Sequence, residues 1–427
     1  MSQYVIKGGK PLKGEINISG NKNAALPCIA AALLTDEKVT LRNVPNILDV
    51  SVMLSLTEQL GTDVKRVDKN TVELNSNVKF NGLDPALVDS VRGSILFSGP
   101  LLARGEKVII PPPGGDVIGL RRLDTHFLGL SSLGVDCAVD ERGYLILTPP
   151  VRLMGASIFL DEASVTATEN VIMAAALAFG ESTIYNAACE PHVQNLCEML
   201  NEMGSEIEGI GSNFLKIKGK ERLFGTDHTI VSDHMETGSF IGLAAATDSE
   251  LLLKHVDTRF LRPLQLGFDK LGITFEIFKD SVYIPKNQKK VMAKTYSGVT
   301  NKLDDAPWPG FPADLLSIMT VTATQMTGSL LIHEKMFESR LYFVDYLIRM
   351  GADIILCDPH RAVVNGKSRL RPCNLVSPDV RAGMAMVIAA LATDGKCTIE
   401  RIDQIERGYE ALLEKLVSIG GDIKREE

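Results

Sequence analysis

Apolar and polar positions alternate along this chain with a helical period that stops, again and again, at a glycine. VSVMLSLTEQLG (50–61) and GYEALLEKLVSIG (408–420) each place apolar residues three and four apart and then end on Gly, as a left-handed helix cap predicts. The same ending recurs six times, at Leu60-Gly61-Thr62, Leu133-Gly134-Val135, Met203-Gly204-Ser205, Leu271-Gly272-Ile273, Met350-Gly351-Ala352 and Ile419-Gly420-Gly421. Successive copies are about 70 residues apart, the signature of a repeated supersecondary unit.

A second helix, rich in small residues, precedes each of these endings. The six are NAALPCIAAALL, GSILFSGPLLA, ENVIMAAALAFG, GSFIGLAAA, DLLSIMTVTATQM and RAGMAMVIAALA. Small side chains let helices approach closely, so these six are expected at buried centres. Short β-branched runs such as KVTLRNV, STIYNA and CTIERI follow most of them and predict strands, and VDCAVDERGYLIL reads as a further hairpin. The unit is therefore helix, strand, helix, then strand or hairpin. Six such units predict an α/β fold of two domains with three repeats each: residues 22–230, and residues 1–21 plus 231–427. A length of 427 residues independently exceeds what one core serves well. The uncharged stretch from Leu315 to His333 is broken by Ser, Thr and Gln, and reads as a buried helix plus a strand, not a membrane span.

Composition narrows the function. A net charge of -8 argues against a nucleic-acid binder, so any anion this protein holds must meet cations that are concentrated locally. Seven scattered cysteines with no C-x-x-C pair predict reduced thiols, and MSQYVIKGGKPLKGEI has no apolar signal-like run; both point to the cytoplasm. No G-x-G-x-x-G follows a strand, VVNGKS lacks the leading Gly of a phosphate loop, and no H-E-x-x-H, carboxylate cluster or G-x-S-x-G is present. No organic cofactor and no metal is expected.

The charges within the repeat are more telling. Near the start of the small-residue helices stand Lys22-Asn23, Arg92, Glu169-Asn170, Glu236-Thr237, Asp314 and Arg381. Helix starts attract anions through free N–H groups and the dipole, and cations added there build anion sites. A second register precedes the repeat glycines and holds Arg121, Arg259, Arg340 and Arg407. Equivalent positions of a repeat point in similar directions. Lys22, Arg121, Arg340, Arg381 and Arg407 are therefore expected to converge on one cleft between the domains, while Glu169 and Glu236 also suit helix caps or first turns. PPPGGDVIGLRRLDTH (111–126) is a proline-stiffened loop in which Gly114 and Gly115 present Asp116 beside Arg121 and Arg122, as a mobile lid carrying an acid would.

Taken in order, SGNKNAALP, the PGG-x-x-IG-x-R loop, NAA-x-EP (186–191), METG (235–238), FPAD (311–314), FESR (337–340) and ERGYE (406–410) make the chain resemble the enolpyruvyl transferase family over nearly its whole length. The resemblance implies an inside-out α/β barrel in each domain, helices inside and sheets outside. It implies transfer of the enolpyruvyl group of phosphoenolpyruvate to the 3-hydroxyl of UDP-N-acetylglucosamine, with release of phosphate, at the first committed step of peptidoglycan synthesis. By the same resemblance, Lys22, Arg121 and Arg407 hold phosphoenolpyruvate, with Arg340 and Arg381 as further cations. Asn23, Arg92, Ser164, Val165, Asp314 and Met336 fall at the nucleotide-sugar positions, with Arg122 as a further substrate-binding residue; Asp314 also accepts the hydroxyl proton, and Asp116 is the acid that protonates the methylene carbon. The sister activity on shikimate 3-phosphate (5-enolpyruvylshikimate-3-phosphate synthase) and a non-catalytic nucleotide-sugar-binding paralogue are the alternatives. Asn23 after Lys22 and the Gly-Gly-Asp loop favour the nucleotide sugar.

This sequence departs from the family pattern at five places. Asp116 stands where many members carry the Cys that the epoxide fosfomycin alkylates, which implies insensitivity. Glu162, Thr166, Cys189 and Phe343 replace a usual Lys, Gly, Arg and His.

Overall fold

The computed structural model describes residues 2–80, 82–115 and 122–427. They form two compact units, one of residues 20–115 and 122–231, the other of residues 2–19 and 232–427.

The second of these units shows why the repeat folds as it does. Its strand Lys13–Asn17 runs parallel to Glu250–Lys254, which pairs antiparallel with Ser281–Ile284, itself flanked by Glu276–Ile277. A parallel pair requires a crossover, and the buried helix His234–Thr247 lies in sequence before the second strand of that pair. Asn301–Asp304, Gly328–His333, Arg361–Gly366 and Asp353–Asp358 repeat the order, with Leu316–Ala323 between the parallel strands. Asn374–Val376 and Lys396–Glu400 repeat it again around Val380–Ala392. Here the amino-terminal strand Gln3–Lys7 enters between Lys396–Glu400 and Asp422–Glu426 and fills the third place. In the other unit two four-stranded sheets follow the same order, and a third sheet has three strands among the described residues.

Burial explains the layering. All fourteen residues of His234–Thr247 are buried, as are all eight of Leu316–Ala323. A helix that is apolar all round belongs in the middle. Strands such as Lys396–Glu400 alternate buried and exposed residues, so each sheet lays one face on the helices and turns the other to solvent. A Cβ at Gly242 would come within 2.5 Å of Ile318 Cγ2, so the close approach of two central helices depends on that glycine. All six repeat glycines have positive φ, from 71° at Gly272 to 99° at Gly204, as expected of helix caps.

Two details of the sequence reading change. GSILFSGPLLA is not one helix but a 3-10 segment Arg92–Phe97 followed by the short helix Ser98–Ala103, because Pro100 has no N–H to bond back to the preceding turn. Glu169 lies beyond the first turn, since its helix begins at Val165 after Ser164. Among the described residues no helix is long and apolar enough to cross a membrane.

Candidate active site

Three structural elements bring charge together in the unit of residues 2–19 and 232–427. Asp314 lies in the 3-10 turn Ala313–Leu315 that leads into Leu316–Ala323. Arg340 begins the 3-10 segment Arg340–Phe343. Arg381 is the second residue of Val380–Ala392, a helix whose start is fixed by the Asp379 carboxylate accepting the Arg381 and Ala382 N–H groups. Arg340 Nη2 meets Asp314 Oδ1 at 2.7 Å, and Arg381 Nε meets Oδ2 at 3.0 Å. Each guanidinium also rests on an aromatic ring, Arg340 over Phe337 and Arg381 over Tyr409. The Tyr409 hydroxyl shares a 2.8 Å hydrogen bond with Ser239 of the neighbouring central helix, which ties the ring in place.

The electrostatics of this cluster are lopsided. Burial alone would raise the pKa of Asp314, but the charges and hydrogen bonds of Arg340 and Arg381 outweigh it and hold the carboxyl well below the usual range. One carboxylate binds both guanidiniums, and Asp379 bears on Arg340 and Asp233 on Arg381 from outside the pair of contacts. Arg340 Nε and Arg381 Nη1 are buried and have no hydrogen-bond partner among the described residues. A buried donor left unpaired is costly, and here two such donors sit beside one carboxylate. Arg407 caps the short helix Asp403–Glu406, two residues before Tyr409, and Met336 is partly exposed just upstream of Arg340.

The other unit arranges its charges differently. Lys22 opens the helix Lys22–Ala31, whose start is capped by Asn21 accepting the Ala24 N–H, and its Nζ binds Asp49 at 2.9 Å. Both side chains are largely buried. Asn23 is half-buried on the same turn. Arg92 donates to the Pro113 carbonyl at 3.3 Å, and a Cβ on Gly115 would come within 3.0 Å of Arg92 Cβ, so the glycine loop runs close over this arginine. Ser164 and Val165 start the helix Val165–Ala175, half-buried, and Arg122 is exposed. Asp116 and Arg121 lie outside the described residues.

The structure also places groups that sequence reasoning passed over. His126, inside the loop segment, is buried and sits between Thr166, 3.0 Å from Nε2, and the Asn170 amide, 3.1 Å from Nδ1. Because Asn170 Nδ2 donates to Nδ1, the Nε2–H faces the Thr166 hydroxyl. Burial, aided by the Arg92 charge, pushes the imidazole down to about 3, so it stays neutral. Asp49 was missed as the partner of Lys22, since 27 positions separate the two and no local pattern links them. Of the remaining sequence candidates, Arg259 pairs with Asp257 at an exposed position. Glu236 pairs with Lys415 at 2.5 Å and accepts the Ser19 N–H, a structural role. Glu169 is fully buried, and burial raises its pKa well above the carboxylate range. Cys189 and Phe343 are buried, and Glu162 is exposed.

Each unit also has an open pocket of about 820 Å³ at the carboxyl ends of its central helices, and neither contains a candidate residue. Lys10, Lys290, Lys367, Arg369 and Arg371 line the one in the Asp314 unit. Cations there complement the helix carbonyl ends.

The profile of the EPSP synthase (3-phosphoshikimate 1-carboxyvinyltransferase) family matches residues 6–416. The chain belongs to that family of enolpyruvyl transferases. It is 56% identical over the full length of both chains to the UDP-N-acetylglucosamine 1-carboxyvinyltransferase of Treponema denticola, and 49% identical, again over both full lengths, to that of Bacteroides thetaiotaomicron. Among solved structures the enolpyruvyl transferase NikO from Streptomyces tendae superposes with a TM-score of 0.88 at 23% identity, covering 99% of this chain and 98% of its own. EPSP synthase from Acinetobacter baumannii superposes with a TM-score of 0.77 at 18% identity over all of both chains. These two establish the enolpyruvyl transferase fold, two α/β domains, for the six repeats described above.

Proposed function

We infer that this enzyme transfers the enolpyruvyl group of phosphoenolpyruvate to the 3-hydroxyl of UDP-N-acetylglucosamine and releases phosphate, the step that commits material to peptidoglycan. The full-length identity to the UDP-N-acetylglucosamine 1-carboxyvinyltransferases carries this reading. On this reading the reaction runs in the cytoplasm, and seven cysteines that form no disulfide suit that compartment.

The site residues follow from the chemistry. Protonation of the methylene carbon, assigned to Asp116, makes the adjacent carbon electrophilic. The sugar oxygen adds there as its proton passes to Asp314. Loss of a proton from the same methyl carbon, together with departure of phosphate, restores the double bond. Lys22, Arg121 and Arg407 hold phosphoenolpyruvate, with Arg340 and Arg381 beside them. Asn23, Arg92, Ser164, Val165, Asp314 and Met336 receive the nucleotide sugar, and Arg122 is a further substrate-binding residue. Asp314 is a poor base while two guanidiniums stabilise its charge. An anion brought up to the two guanidiniums offsets part of their positive charge and raises the basicity of Asp314. The base thus becomes competent when phosphoenolpyruvate is in place.

Measuring phosphate released from phosphoenolpyruvate with each acceptor separately tests the reading. UDP-N-acetylglucosamine is expected to support turnover and shikimate 3-phosphate to give none. Turnover with shikimate 3-phosphate alone would assign the sister activity, and none with either acceptor would point to a binding protein.

A further inference from the structure

Two buried carboxyl groups stand next to the Asp314 cluster. The strands Asn301–Asp304 and Gly328–His333 run parallel with Asp304 opposite His333, so the residues that follow, Asp305 and Glu334, emerge side by side. Both are wholly buried. Between them they capture three successive backbone amides: Asp305 Oδ1 accepts the Lys335 N–H at 2.5 Å, Asp305 Oδ2 the Met336 N–H at 3.2 Å, and Glu334 Oε1 the Phe337 N–H at 3.2 Å. Glu334 Oε2 is buried, with no N–H or hydroxyl donor bound to it among the described residues. The chain then reaches Arg340, whose guanidinium lies over the Phe337 ring and binds Asp314. The segment that presents Met336 and delivers Arg340 is therefore anchored at its root by two carboxyls.

Two ionised carboxylates this close in a dry site repel strongly, and one proton between them removes the repulsion. We propose that Glu334 is a positioning residue that works as the neutral acid: it shares one proton with Asp305, and the pair fixes residues 335–339 so that Met336 and Arg340 face the substrate. The groups that bear on Glu334 agree. Burial comes first, then the hydrogen bond and charge of Asp305, which together push its carboxyl up to about 9 against the pull of Arg340 and the Phe337 N–H. From the turn before Arg361–Gly366, His360 Nδ1 binds the Glu334 carbonyl and not its carboxyl. Lys335 is engaged by Asp304.

The consequence for catalysis rests on the reading of Arg340 and Met336 as substrate contacts; the shared proton does not. Both are tested in the full-length enzyme with Glu334→Gln, whose amide mimics the neutral acid, and Glu334→Ala. The folded-state value lies above the ordinary one, so the proton's stabilising effect is complete below about pH 4.3 and is lost progressively up to about pH 9. Glu334→Gln is therefore expected to gain melting temperature relative to wild type as pH rises from 5 to 9. At pH 7 it is expected to keep kcat and both KM values within about twofold, while Glu334→Ala raises KM about tenfold. Melting curves of wild type and Glu334→Gln that stay parallel across this range overturn the shared proton. Wild-type KM values in Glu334→Ala, with Arg340→Ala impaired, overturn the positioning role. Wild-type KM values in Arg340→Ala itself overturn the reading of the site, and the melting result still decides the proton.

Discussion

In one unit Lys22 binds Asp49, and in the other Asp314 is divided between Arg340 and Arg381. Both clusters stand at the start of a small-residue helix, and both keep charge largely away from water. They differ in what is left over. The Lys22 pair is neutral as a whole, so an anion must compete with Asp49 for the ammonium. In the Asp314 cluster one carboxylate is shared, and each guanidinium keeps a buried N–H with no hydrogen-bond partner among the described residues. A planar guanidinium can serve a carboxylate on one edge and another ligand on the next, whereas an ammonium on a flexible stem is a single point charge. The same repeat position can thus hold a carboxylate shared between two guanidiniums, or an ammonium bound to a carboxylate.

The sharpest way to break this contrast is Asp314→Asn. If Asp314 is the base, kcat should fall about 10³-fold. The KM for phosphoenolpyruvate should not rise, because both arginines remain and have lost the carboxylate that binds them both. Initial rates of phosphate release measure both, and turnover within tenfold of wild type would remove Asp314 from the chemistry. The carboxylate's folded-state pKa is depressed, so its stabilising effect is complete above about pH 4 and is lost only as pH falls below that. Between pH 5 and 8 the melting difference between wild type and Asp314→Asn should therefore stay constant, the opposite of the behaviour expected at Glu334.

Lys22 and Asp49 offer the next largest effect. Lys22→Ala should raise the KM for phosphoenolpyruvate at least tenfold, about 1.4 kcal/mol of lost binding. It also leaves Asp49 buried without its cation, which is costlier than removing both partners. The double variant Lys22→Ala/Asp49→Ala is accordingly expected to melt at a higher temperature than Lys22→Ala alone. A double variant that melts lower would mean that Asp49 has a structural role of its own.

The smallest effects test the repeat that carries both clusters. Gly420→Ala asks only for a left-handed alanine, with nothing near the new Cβ, and should cost about 1 kcal/mol. Gly61→Ala adds a Cβ 2.4 Å from the Asn77 carbonyl oxygen and should cost distinctly more. Equal losses in thermal unfolding would show that the backbone relaxes around Gly61.

Much of this was legible along the chain. The helix period and its glycine stops are local properties, set by sterics within a few residues, and so the six repeats, the cap glycines and the buried central helices could be read before any contact was known. The grouping of Asp314 with Arg340 and Arg381 was half legible. The repeat register singled out the three residues, yet only the packed helices set the 2.7 and 3.0 Å contacts and left Nε and Nη1 unpaired. The capture of Lys22 by Asp49, the neutral His126 between Thr166 and Asn170, and the Asp305–Glu334 pair could not be read at all. Each joins residues whose separation in sequence carries no period, and each depends on desolvation, which exists only once the surrounding chain has folded. Sequence alone determined the architecture and the kinds of charge available, because those follow from local sterics and composition. Tertiary structure decided which charges are satisfied, shared or left open, because protonation and pairing are set by burial and by neighbours that only the fold brings together.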